Sequence, residues 1–293
     1  MRIATLTFLA IASMAAVAFV GVYALSETKL RDVELAPAFD EPIPTDAAAI
    51  ERGRHIARTR GCFGCHGQQL QGKDFGEQWD WPARAVAPNL AAYARANSPA
   101  TVEAAIRQGI GRNGKALVSM PSYNFARLTD DDTAALIAFL QSAPLVEIPL
   151  PKPKLGWSVR LGFALGVETH MAQWTARVPR LRIDAQKSPQ RARGEYLAMT
   201  MCNECHGLDL RGATIYPPPA PDLAIVASYE RQAFEKLLHT GVAAGGRKLM
   251  LMSLVAPDRF PDLSDDEVDD LYWFLTSLAD EPAPGNVFWR PAR

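Results

Sequence analysis

All four cysteines of this 293-residue chain fall in two pentapeptides of one pattern, Cys62-Phe63-Gly64-Cys65-His66 and Cys202-Asn203-Glu204-Cys205-His206. A C-x-x-C pair with a histidine directly behind it suits covalent attachment of a haem. The two thiols add to vinyl groups along one edge of the macrocycle, and the imidazole reaches the iron. A chain that does this must fold around a flat, largely apolar group. Other readings of paired cysteines fit less well. Zinc sites of this form set their pairs about 15–20 residues apart, whereas Cys62 and Cys202 are 140 positions apart. A thioredoxin-like pair needs a βαβ context that the pattern lacks. A disulfide leaves the repeated histidine unexplained, and four cysteines are too few for a disulfide scaffold. Two covalently bound haem c groups are therefore expected.

The rest of the chain repeats with the motifs. "AAIERGRHIARTRGC" runs as a helix into Cys62 and "RARGEYLAMTMC" into Cys202. "APNL" (Ala87 to Leu90) is matched by "APDL" (Ala220 to Leu223). A capped helix follows each: Ser98 and Pro99 make an N-cap and first position, Gly109 stops the helix, and Ser228 and Gly241 are expected to do the same. Val102, Ala105 and Ile106 match Phe234, Leu237 and Leu238, a spacing that buries one helical face. The closing helices start at Thr129 and Ser264, with Asp132 and Glu267 at the capping-box position, where glutamate is the better match. Strand-like alternation is scarce. The fold class expected is all-α: two helical domains in tandem, at 50–145 and 190–280, with a C-terminal tail at 281–293.

Before the first domain, the 24 residues from Ile3 to Ser26 are uncharged. As a helix they reach about 36 Å, enough for a hydrocarbon core of about 30 Å. A cleaved signal peptide is the rival, with Ala16 to Ala18 as its cleavage site. The run exceeds the usual apolar region of such a signal, so residues 1–26 are expected to remain as a transmembrane anchor. Residues 27–49 read as a linker. Residues 146–189 form a second one, with prolines at 149, 151 and 153 and an apolar part from Leu155 to Val167 that is too short to span a bilayer. It is expected to pack across both domains; the sharper alternative lays it on the membrane or under a partner subunit. The formal net charge is −1 with no long basic run, so nucleic acid is not an expected partner.

These features resemble the class I c-type cytochromes in a tandem dihaem form, and most of all membrane-bound bacterial cytochromes that take electrons from periplasmic dehydrogenases. The resemblance rests on the two C-x-x-C-H stretches, the "APNL" and "APDL" turns, the methionine loops and the closing helices. It implies a small helical bundle around each haem. It also implies that the carbonyls of Pro88 and Pro221 hold His66 and His206 by a hydrogen bond, although Ala87 and Ala220 stand where glycine is common. The resemblance points to Met120 as the sixth ligand of the first iron. In the second copy Met250 and Met252 compete. Gly109 to Met120 and Gly241 to Met252 are both eleven positions, so Met252 is the counterpart and Met250 is expected to be a packing residue. His55, His170 and His239 match the repeat less well as ligands.

The function expected is electron transfer, with no catalytic residue of its own. Electrons would come from a donor dehydrogenase subunit and leave to an acceptor cytochrome, a copper protein or an oxidase. The haem domains would lie in the periplasm, tied to the bacterial inner membrane. A dihaem peroxidase or related oxidase is the alternative, and it requires a vacant or displaceable axial position.

Overall fold

The computed structural model describes residues 2–34, 36–76, 83–213 and 219–282. From residue 283 onward the expected tail lies outside the described residues. The described chain is all-α with three short ladders. A long helix, α1 (Arg2–Arg31), comes first. The first unit then holds α2 (Ala47–Thr59), α3 (Cys62–His66), α4 (Leu90–Ala96), α5 (Pro99–Glu103) and α6 (Asp130–Ser142). Next come α7 (Trp157–Leu165) and α8 (Met171–Ala176). The second unit holds α9 (Pro189–Met201), α10 (Asn203–His206), α11 (Arg231–Thr240), α12 (Met250–Arg259) and α13 (Asp265–Ser277). Antiparallel ladders join β1 (Lys73–Asp74) to β3 (Val86–Ala87), β2 (Ala83–Arg84) to β4 (Lys154–Leu155) and β5 (Val242–Ala243) to β6 (Arg247–Lys248).

Local chemistry sets most helix ends. Asp46, Asn89, Ser98, Thr129 and Ser264 each accept a backbone N–H of the first turn of their helix, which satisfies donors that have no partner inside the helix. Ser264 and Glu267 complete the reciprocal capping box. α5 continues into a π turn, Ala104–Gln108, which Gly109 closes at φ 70°, and Gly241 closes α11 at φ 69°, a left-handed conformation that glycine adopts without a Cβ penalty. Ser228 does not cap α11. Its hydroxyl donates to the Ile225 carbonyl at 2.7 Å within a 3-10 turn, Leu223–Ser228, and Glu230 takes the N-cap place instead. Nor does α1 stop at residue 26. It runs to Arg31, because its last turn packs against the first unit: Leu30 and Ser26 are buried, and the Leu30 carbonyl accepts the Ala116 N–H at 2.7 Å.

Within each unit the helix leading to the motif crosses the closing helix at a glycine. Gly53 of α2 lies against the Ala135 carbonyl of α6, and Gly194 of α9 lies against the Asp270 carbonyl of α13. The cores on either side are matched. Ile56, Leu136, Phe139 and Leu140 fill the first, and Leu197, Leu271, Phe274 and Leu275 fill the second.

The two units are joined by reciprocal contacts. His55 of α2 bonds the Glu267 carboxylate of α13 at 2.8 Å, and the Tyr196 hydroxyl of α9 donates to the Asp132 carboxylate of α6. Each partner carboxylate sits at the same place in its helix, three residues after the N-cap. Tyr123 enters the core of the second unit, and Tyr196 packs on that of the first. The linker after Ser142 divides its work. Residues 171–178 do pack across both units: Met171, Trp174 and Val178 join the second core, while Arg127 of the first unit donates to the carbonyls of Val178 and Pro179. α7 instead lies along α1.

A Cβ added at Gly53 or Gly194 would fall 2.8 Å from the Cβ of Phe139 or 2.6 Å from that of Phe274. Gly53→Ala and Gly194→Ala should each lower stability by about 1–3 kcal/mol, outweighing the roughly 1 kcal/mol that alanine gains over glycine in a helix. Gly21→Ala, which meets open space, should not. Thermal unfolding followed by circular dichroism checks all three.

Candidate functional site

One helical turn explains the spacing of each pentapeptide. Residues three and four apart share a helix face, so Cys62, Cys65 and His66 of α3 point the same way. Cys202, Cys205 and His206 repeat the arrangement, with Cys202 as the N-cap of α10. The chain then turns back through a tight loop. Gly72 N–H donates to the His66 carbonyl at 2.7 Å and Gly212 N–H to the His206 carbonyl at 2.8 Å. Between them Leu70 and Leu210 take left-handed backbone at φ 58° and 66°, a strained choice for leucine. Both side chains are buried, and their carbonyls accept the N–H groups of Leu90 and Leu223, each at 2.9 Å. Those bonds bring each proline turn back onto its histidine.

His66 Nδ1 donates to the Pro88 carbonyl at 2.8 Å, and His206 Nδ1 donates to the Pro221 carbonyl at 2.8 Å. A carbonyl only accepts, so each Nδ1 carries the hydrogen and each Nε2 keeps its lone pair. Burial holds both imidazoles below the ordinary histidine range, which favours the neutral form that binds metals. Ala87 and Ala220 have ordinary negative φ and lie in short antiparallel pairings with Lys73 and Ala213. The turn therefore needs no glycine there. Burial also pushes the Cys62, Cys202 and Cys205 thiols up to about 12, and raises Cys65. Such thiols are poor free nucleophiles at neutral pH.

A cavity of about 520 Å³ opens in the first unit, lined by Cys62, Cys65, His66, Pro88 and Met120. Val102, Ile106, Phe125 and Leu136 give it apolar walls. Met120 precedes a 3-10 turn, Ser122–Phe125, whose hydroxyl at Ser122 donates to the Ala105 carbonyl at 2.8 Å. Two thiols, a neutral imidazole and a thioether around one apolar space form a donor set that fits haem c. In the second unit Met252 stands in the first turn of α12 rather than in an open loop, and it packs on the same core as Cys202. Met250 is 67% exposed, not packed. At about 100° per residue, two positions along a helix face nearly opposite ways, so Met250 points out where Met252 points in. His55, His170 and His239 do not line the first cavity. His55 bonds Glu267, and His170 caps α8 through its Nδ1.

The first cavity is not built by its own unit alone. Glu27 and Leu30 of α1, Leu155 and Arg160 of the linker, and Glu204 and Arg259 of the second unit all border it. Glu204 stands inside the second pentapeptide, and Arg259 donates to it at 2.9 Å. The Arg259 guanidinium lies directly against Gly61, next to Cys62. The Glu204 charge raises the Arg259 pKa against the opposing effect of burial. The two motifs thus meet across one partly buried ion pair. Sequence reading misses Leu70, Leu210, Glu204 and Arg259. The leucines carry a signal, because H-G-x-x-L-x-G follows both cysteine pairs. Arg259 carries none, since only the fold brings it to Gly61.

If Met120 and Met252 face the two histidines across bound iron, Met120→Leu and Met252→Leu should each abolish half of the methionine–iron charge-transfer absorbance. Met250→Leu should leave it whole. Absorbance spectra of the oxidised purified variants check this.

A sequence model of the family described as cytochrome c matches residues 50–144 and 191–279. The chain is 31% identical over 180 residues to the cytochrome c subunit of the alcohol dehydrogenase (quinone) of Gluconobacter oxydans (strain 621H), covering 55% of this chain and 35% of that protein. It is 25% identical over 280 residues to the fructose dehydrogenase cytochrome subunit of Gluconobacter japonicus, covering 84% of this chain and 56% of the relative. With the gluconate 2-dehydrogenase cytochrome c subunit of Pantoea cypripedii the identity is 26% over 173 residues, which cover 54% of this chain and 38% of the relative. The matched stretches thus span only about a third of the alcohol dehydrogenase subunit and about half of the fructose dehydrogenase subunit.

Proposed function

Because the chain belongs to the cytochrome c family, we propose that it is the electron-transferring subunit of a membrane-held dehydrogenase, carrying two haem c groups in series. Cys62, Cys65, His66 and Met120 would hold the first, and Cys202, Cys205, His206 and Met252 the second. Each haem would supply a one-electron iron couple. The protein's own part is to fix the imidazoles through Pro88 and Pro221, to exclude water with the two cores, and to set the charge around both attachment edges. A methionine on each iron suits electron transfer rather than ligand activation. α1 is long and apolar enough to cross a membrane, with none of its apolar window buried in the protein. It would tie the two units to the periplasmic face of a bacterial inner membrane.

The observation that carries this reading is the meeting of the two motifs at Glu204 and Arg259. A relay needs its two centres close and electrostatically matched. One partly buried ion pair here touches the surroundings of all four cysteines: Arg259 lowers the thiol pKa of Cys62, Cys65, Cys202 and Cys205, against the larger opposing effect of burial. The donor dehydrogenase would deliver electrons to one end and a cytochrome, copper protein or oxidase would take them from the other. The relatives belong to dehydrogenases named for unlike substrates, an alcohol, fructose and gluconate, so the shared element is the cytochrome and not the substrate.

Glu204→Gln removes a negative charge between the two centres and should raise both midpoint potentials. Arg259→Gln should lower both. A unit charge at about 10 Å in a medium of effective dielectric about 20 gives shifts on the order of 50–100 mV. Redox titration of each variant reads the two steps; a shift confined to one centre contradicts the shared placement. Purification of the native protein from detergent-solubilised membranes should bring a dehydrogenase subunit in fixed stoichiometry. A lone chain would contradict stable membership of such a complex.

A further inference from the structure

α7 does not obey the rule for a surface helix. Its sequence, WSVRLGFAL, holds a single charge. The inner side buries Val159 and Phe163 against Leu30 of α1. The outer side should then be polar if it met water. It carries Trp157, Leu161 and Leu165 instead, at i, i+4 and i+8, which are 41%, 38% and 68% exposed. Val167, just past the helix, is also exposed. Ser158 is the one polar side chain exposed on α7; an apolar side of this extent is normally covered, and none of the described residues covers it.

The neighbouring contacts say what does. Trp157 stacks on Phe19 of α1, with ring centroids 4.4 Å apart and planes 4° from parallel. Counted from Ile3, the roughly 20 residues that cross a hydrocarbon core end near Val22. Phe19 lies in the last turn of that stretch, so Trp157 is held at the depth where Trp and Tyr gather in membrane proteins. Arg160, the one charge of α7, does not face outward. It lies over the Tyr23 ring at 4.3 Å and donates to the Glu27 carboxylate at 3.0 Å, and Lys115 of the first unit binds the same carboxylate. Lys29 and Arg31 are exposed one turn further on, at the level where cations meet lipid headgroups.

We propose that α7 stands in the boundary between membrane and water, with Trp157 and Leu161 toward the lipid acyl chains and Leu165 at the level of the headgroups. The first unit is then held by two helices and not by a swinging tether. α1 crosses the bilayer, α7 runs beside its exit end with the outer side toward lipid, and Glu27 with Arg160 and Lys115 locks both to the wall of the first cavity. The orientation of that cavity toward the membrane is fixed as a result. This inference rests on the reading of α1 as a membrane anchor.

The test uses the full chain in lipid nanodiscs with single introduced cysteines carrying a nitroxide, at Leu161, Leu165, Phe8 of α1 and Asp266 of α13. Relaxation by oxygen, which concentrates in lipid, is compared with relaxation by a water-soluble nickel chelate. Leu161→Cys should resemble Phe8→Cys, with oxygen the stronger relaxant, and Leu165→Cys should fall between it and Asp266→Cys, where nickel is the stronger. A nickel-dominated signal at 161 and 165 with an oxygen-dominated signal at 8 would overturn the proposal while leaving the anchor in place. A nickel-dominated signal at all four would remove the anchor reading and the proposal together. Labels at 161 and 165 screened from both reagents would place them under protein, such as a second copy of the chain, and would also overturn it.

Discussion

A histidine that offers one nitrogen to a metal must be held by the other. Here that hold is a hydrogen bond from Nδ1 to a proline carbonyl, made twice at 2.8 Å. Much of each unit exists to deliver that carbonyl. The strained leucine, its bond to the returning chain, and the short pairing at Ala87 or Ala220 all serve to bring a proline back across the turn. The cost of a left-handed leucine, of order 1 kcal/mol or more, is offset by burying its side chain in the core. Repetition of the whole device, down to the leucine, argues that it answers the demands of the site and is not an accident of one loop.

The second constraint is the seam between the units. Duplicated domains can be strung loosely, but these two exchange equivalent contacts, as the halves of a two-fold dimer would. His55 reaches Glu267, Tyr196 reaches Asp132, and each unit lends an aromatic ring to the other's core. The carboxylates are cap-adjacent residues of the closing helices, so one acidic position stabilises a helix start and joins the units. The seam also places the two cysteine motifs around Arg259 and Glu204. Even partial burial of that pair is costly unless it is well bonded, and its place between the two cysteine motifs gives a reason for keeping it.

What is legible in the sequence is short-range. Caps at Ser98, Thr129 and Ser264, stops at Gly109 and Gly241, and the face shared by two cysteines and a histidine all depend on residues within a turn or two. The repeat extends that reach, because matching positions in two copies align Met252 with Met120, and of the two methionines it is Met252 that packs inward. The departures come where distant parts decide. Ser228 has the chemistry of a cap, but the turn that starts at Asp222 claims its hydroxyl. Met250 has the chemistry of a packing residue, but α12 turns it outward. Nothing local marks Arg259 or the lock among Glu27, Lys115 and Arg160, since the partners are brought together only by the finished fold. The apolar linker is ambiguous because a helix buried in protein and one lying in lipid read alike.

The proposed relay requires two thioether-bound haems, one per unit, each seated on a proline-held histidine. The intact mass of the mature chain, taken after acid denaturation strips every non-covalent group, tests this most directly. The predicted mass is that of the polypeptide plus two haems. A mass showing one haem or none would contradict it.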